Sequence, residues 1–190
     1  MKRFLLATLF ALAGFQVNAA VIDFNSLTGS GDVYRGQSYQ EDGFQLDTTG
    51  NFYSLHSGLG YDGTPSFFNN TVNGVTTLKN ISNAVFSLDS IDLDSLNGGY
   101  TVTVTFIGTL LNGSTTTTSF QTNDTAGMQT FTFGSSFDNV RSVAWTQASP
   151  YHSFDNIVVN AAQVPEPGTM AMLGLGLLAF TTARRKSAKK

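Results

Sequence analysis

Few side chains in this sequence could do chemistry, and they are scattered. There are two histidines, His56 and His152, far apart in the chain, and there is no cysteine. A Ser–His–Asp triad can be drawn through either histidine, but serine is too common here for such a drawing to carry weight. No HExxH, phosphate-binding loop or dinucleotide fingerprint occurs. Glycoside hydrolysis needs two acids flanking one cleft, and between the chain's two ends there is a single glutamate, Glu41, beside eleven aspartates. Lack of cysteine excludes thiolate catalysis, a disulfide framework and Cys-based zinc sites together. The expectation is a non-enzymatic protein; the alternative is a secreted hydrolase acting on matrix polysaccharide.

Binding chemistry has better candidates. Asp23 and Asp155 stand near the two ends of the strand-forming region. If the first and last strands pair, their carboxylates could share a calcium ion, which takes carboxylate and backbone oxygens. The competing reading has Asp155 capping the turn before its strand and Asp23 facing water. Asp89, Asp92 and Asp94 resemble a cation ladder, yet period two puts Asp92 and Asp94 on one face and Asp89 on the other. A solvated strand edge that discourages pairing between molecules is the expected role. For ligands, flat aromatic rings near loops can stack on sugars: Tyr34, Tyr39, Tyr53, Tyr61, Trp145 and Tyr151. Tyr151 and His152 follow Pro150 in the loop 147–153 and are expected to be exposed. Trp145 alternates with Val143, which favours a place in the core.

The elements that must hold these residues are strands. Short apolar alternations recur between turn residues, with almost no helical periodicity, which predicts an all-β fold of two packed antiparallel sheets, a jelly roll. The clearest strand is 100–110, with Tyr100, Val102, Val104 and Phe106 on one face. Asn112-Gly113 then signals a hairpin to 115–120. Further strands are expected at 21–24, 43–47, 67–69, 76–78, 85–93, 129–133, 140–146 and 153–159. In the last, Asp155, Ile157 and Val159 are expected to share a face opposite Phe154, Asn156 and Val158. Residues 29–63, rich in Gly and Tyr, read as long loops.

The two ends are different objects. Lys2 and Arg3 precede an apolar run, Phe4–Phe15, and small residues at Val17, Ala19 and Ala20, the pattern of a secretory signal peptide over residues 1–20. At the other end Pro165 and Pro167 break any helix. An uncharged run, Gly168–Ala183, then spans roughly 24 Å as a helix against a hydrocarbon core of about 30 Å. Arg184, Arg185, Lys186, Lys189 and Lys190 follow and favour the cytoplasmic side. Residues 21–160 between the ends form one domain. Within it Arg35, Lys79 and Arg141 face twelve acids, a net charge of −9, which disfavours nucleic-acid binding.

The composite of Val164, Pro165, Glu166 and Pro167, the Gly174–Leu178 core and Arg184–Arg185–Lys186 resembles the PEP-CTERM sorting signal of bacterial exported proteins. The resemblance covers residues 161–190. It implies an exosortase partner that cuts near the Pro-Glu-Pro element, with secretion machinery upstream. It also implies transient anchoring in the inner membrane by the C-terminal helix, then a cell-surface or extracellular fate. More loosely, Phe86–Leu93, Val104–Gly108, Gln129–Phe133 and Phe154–Val159 resemble β-sandwich domains carried by such proteins, which look like carbohydrate-binding modules. That resemblance bears on fold rather than function; the role expected of the exported body is structural or adhesive in an extracellular matrix or biofilm, with polysaccharide a candidate partner.

Overall fold

The computed structural model describes residues 18–58, 61–96 and 98–161. Residues 1–17 of the expected signal peptide and the sorting segment after Ala161 lie outside these, whereas residues 18–20 of that expected peptide open the first strand. Among the described residues eleven strands form: β1 (Asn18–Ile22), β2 (Asp32–Glu41), β3 (Phe44–Leu55), β4 (Ser66–Asn69), β5 (Val75–Asn80), β6 (Phe86–Ser95), β7 (Thr103–Leu110), β8 (Thr115–Gln121), β9 (Gln129–Thr132), β10 (Val140–Thr146) and β11 (His152–Ala161). Every pairing is antiparallel. The hydrogen-bonded order is β8-β7-β10-β5-β3-β4-β11-β6-β9, with β2 on β3 and β1 on β11. The fold is thus an all-β, antiparallel jelly-roll sandwich, as the alternations predict.

One strand joins the layers. The first half of β3 (Phe44–Thr48) pairs with β5, and its second half (Phe52–Leu55) pairs with β4. At the crossover a Cβ on Gly50 would collide with Asn69 and Thr71, so glycine is required for the close approach. Between the layers the core is mainly aromatic. Trp145 bridges Phe106 at 5.4 Å and Phe154 at 5.1 Å, and Phe154 leads on to Phe67, Phe24 and Phe52. With no disulfide, this burial is the main stabilising term among the described residues.

The 7–8 hairpin forms as its turn residues dictate. Gly113 adopts φ +84°, Leu110 N donates to Ser114 O at 2.8 Å, and Asn112 Oδ1 accepts from Ser114 N at 3.0 Å. Val102, Val104 and Phe106 face the core, but Tyr100 precedes the strand and is 60% exposed.

Several expectations need correction. Residues 29–63 are not mainly loops, since β2 and β3 occupy most of them. The first strand lies earlier than 21–24, ending at Ile22, and Phe24 turns away with φ +53°. The strict alternation expected in β11 fails at Asn156 (φ +46°), where the register to β6 slips. This bulge lets Phe154, Ile157 and Val159 all enter the core. The aspartates of β6 do not line a free edge, because β6 lies between β11 and β9 and Asp94 is fully buried.

Candidate ligand-binding face

The outward face of the layer containing β2, β3, β4, β11 and β6 carries the tyrosines. Tyr34 of β2 stands opposite Tyr53 of β3, and Tyr53 opposite Phe68 of β4. Period two therefore sends all three rings away from the core, which takes the next residues, Ser54 and Phe67. Tyr34 and Tyr53 meet edge to face at 5.5 Å, Tyr53 and Phe68 stack at 5.8 Å, and Phe68 meets Tyr151 edge to face at 6.5 Å. Exposure falls along the strip, from 57% at Tyr34 to 3% at Phe68, with Tyr53 and Tyr151 half-buried. An apolar platform bordered by phenol hydroxyls results, suited to one face of a sugar ring.

Polar groups continue the same face. Ser153 and Asp94 are opposite each other across β11 and β6, as are Asp155 and Asp92, and two-residue spacing sets all four outward. Burial pushes the Asp155 carboxyl up to about 7, opposed by the Asn156 N–H and reinforced by Asp62 and Asp92. Asn156 N donates to Asp155 Oδ1 at 2.7 Å, and Asn156 Nδ2 to Asp92 Oδ2 at 2.9 Å. Thr64 Oγ1 lies 2.9 Å from Asp62 Oδ1 and 3.3 Å from Asp155 Oδ2. One hydroxyl hydrogen serves only one of them, so a protonated Asp155 can donate to Thr64 in turn. Asp94 is also raised, by burial first and then against the nearby Gly127 and Ser95 N–H groups. Neither Asp94 oxygen has a hydrogen bond of normal geometry, nor do the buried Ser66 and Ser153 hydroxyls.

The terminal strands do pair, with Ile22 opposite Ile157, but Asp23 and Asp155 face different surroundings. Asp23 Oδ1 accepts from Asn25 N at 3.0 Å and acts electrostatically on Glu41 and Tyr39, whereas Asp155 faces Asp62 and Asp92. Among the described residues no three His, Asp or Glu gather as metal ligands. Asp23 is thus not among the groups that act on Asp155, and a calcium ion shared by the two needs further oxygen ligands from the backbone. Tyr151 joins the strip, but its neighbour His152 is fully buried and not in an exposed loop. Burial lowers His152 to about 4, and with the Gln147 amide correctly oriented its Nδ1 donates to Gln147 Oε1 at 3.2 Å. Trp145 is 2% exposed and belongs to the core. Tyr39 is half-buried against Phe24 and Phe67, and Tyr61 sits on the loop before β4, its hydroxyl donating to Gly63 O.

Sequence reading missed one cluster. Ser54 Oγ lies 2.8 Å from His56 Nε2, and Arg35 reaches both, with Nε donating to Ser54 Oγ at 2.7 Å and Nη2 to Thr28 O at 2.6 Å. Burial and then the Arg35 charge lower His56, so its Nε2 is an acceptor. The Ser–His spacing is that of a nucleophile and its base, but Ser54 is fully buried. Its hydroxyl instead orients Arg35, whose other nitrogen holds Thr28 O. On the opposite layer a depression of about 280 Å³ is lined by Thr103, Thr105, Ile107, Thr146 and Gln147 among others, and no aromatic ring borders it.

Among solved structures the chain is similar to a xylan-binding CBM22-1 domain of Paenibacillus barcinonensis Xyn10C, at 13% identity and TM-score 0.41, over 80% of this chain and 100% of that one. It is also similar to a family 29 carbohydrate-binding module of Piromyces equi, at 13% identity and TM-score 0.39, over 77% of this chain and 91% of that one. Likeness this slight assigns no ligand. The chain has no match among curated proteins. Residues 163–186 match the PEP-CTERM protein-sorting motif, a match that includes Val164, Pro165, Glu166, Pro167, Arg184, Arg185 and Lys186. The chain therefore carries the sorting motif of an exported protein that is processed at the membrane by an exosortase.

Proposed function

We propose that the protein is a non-catalytic exported carbohydrate-binding protein, delivered through its sorting motif to the cell surface or its polysaccharide matrix. The observation that carries this reading is the strip Tyr34–Tyr53–Phe68–Tyr151, open to solvent at its Tyr34 end. A sugar stacks on Tyr34 and Tyr53 while its hydroxyls meet the phenols. Its work there is structural or adhesive.

A hydrolytic reading must use Asp155 and Asp92, the carboxylates that face each other across β11 and β6. Asp155 is wholly covered, however, and a general acid has to reach the glycosidic oxygen. Glycan-array binding together with a reducing-end assay separates the two. Retention without release of reducing ends supports the proposal, and turnover overturns it.

A further inference from the structure

Strand register puts Asn18 and Ala161, the first and last described residues, at one pole of the sandwich. Leu110 is opposite Val140, Val140 opposite Phe86, Phe86 opposite Ala161, and Ala161 opposite Asn18, so one row crosses five strands. Ile81 reaches the same pole, since Lys79 of β5 pairs with Ser142 of β10 and Ile81 N donates to Gly43 O at 3.0 Å.

Two turn tips at this pole each carry one exposed apolar side chain. Leu111 is 65% exposed and Ile81 48%. Leu110, Leu111, Asn112 and Asn139 line a shallow groove of about 410 Å³. In the sequence, residues 162–167 separate Ala161 from the uncharged run Gly168–Ala183. Even fully extended, that connection holds the pole within about 25 Å of the start of the run. On the other side only Gln16 and Val17 separate Asn18 from the apolar run ending at Phe15.

We infer that, before processing, this pole lies against the lipid bilayer, with Leu111 and Ile81 at the boundary between headgroups and acyl chains. Asp42 and Asp138 flank the same turns and the exposed Arg141 follows Val140, so charge at the pole gives little net attraction to an anionic lipid surface. The contact is therefore apolar, and tethering supplies the high local concentration that two isolated side chains lack.

The absence of cysteine makes the test direct. Full-length Leu111→Cys, Ile81→Cys and Tyr100→Cys chains carry a polarity-sensitive fluorophore and are reconstituted in phosphatidylethanolamine–phosphatidylglycerol vesicles. Tyr100 is the control, because it is 60% exposed but lies at the opposite pole. Probes at 81 and 111 are expected to shift to the blue and lose quenching by aqueous iodide, equally at low and high salt, while the probe at 100 reports water. Equal quenching at all three sites overturns the inference. Failure of the full chain to float with vesicles also overturns it.

Discussion

The ring of Phe24 lies flat on that of Phe67, with centroids 4.3 Å apart and planes 7° from parallel, although the Phe24 backbone sits at φ +53°. A bulky residue in the left-handed region is strained and persists only when its surroundings over-determine it. Here Phe24 N donates to Glu41 Oε2 at 3.1 Å, and Tyr39 OH donates to the same oxygen at 3.2 Å. Phe24→Ala is expected to cost about 3–5 kcal/mol in urea unfolding. Glu41→Gln, which keeps an acceptor, costs much less than Glu41→Ala. Equal losses for the two Glu41 variants would mean that the hydrogen bonds do not hold this turn.

Two buried groups give opposite pH dependences in nearly the same window. His152 is lowered from 6.5 to about 4, so its contribution is intact above pH 6.5 and lost as pH falls towards 4, about 3 kcal/mol in all. Asp155 is raised from 3.8 to about 7, so its contribution is intact below pH 3.8 and lost as pH rises to about 7. In the wild-type protein Asp155 therefore offsets the acid dependence that His152 imposes between about pH 4 and pH 6.5. Asp155→Asn leaves only Glu41 and Asp94, which burial also raises, to oppose His152, so its stability falls with acid more steeply than that of the wild type. Parallel curves for the two proteins would contradict these assignments.

Chelation tests the carboxylates as a group. Because no three His, Asp or Glu gather as ligands among the described residues, the melting transition is expected to be the same in EDTA and in excess calcium. A rise in Tm with calcium, abolished in Asp155→Asn, would mean that Asp155 closes on an ion with its own neighbours, Asp62 and Asp92.

The fold was legible wherever a strand has one wet face and a turn with unmistakable chemistry, as at Val104, Phe106 and Asn112-Gly113. It was hidden where a strand changes partners. β3 alternates cleanly over Phe44, Leu46 and Phe52 but not between them, because it crosses layers at Gly50. β2 carries Gln, Ser and Gly on an exposed edge, which composition alone cannot distinguish from a loop. The bulge at Asn156 shifts the phase of β11, so counting by twos misplaced Phe154 relative to Ile157. Tyr34 and Tyr53 were each visible as exposed aromatics, but their alignment with Phe68 depends on pairings between distant segments. The same holds for His152, whose burial comes from β6 and Gln147.

Binding through the aromatic strip is tested most directly by affinity electrophoresis in gels containing the matrix polysaccharide of the source cells. The exported body should be retarded, and Tyr34→Ala and Tyr53→Ala should each weaken retardation about two- to tenfold. Ile107→Ala, on the opposite layer, should leave it unchanged. Full retardation of the Tyr34→Ala, Tyr53→Ala double variant, or loss of retardation in Ile107→Ala alone, would contradict the account.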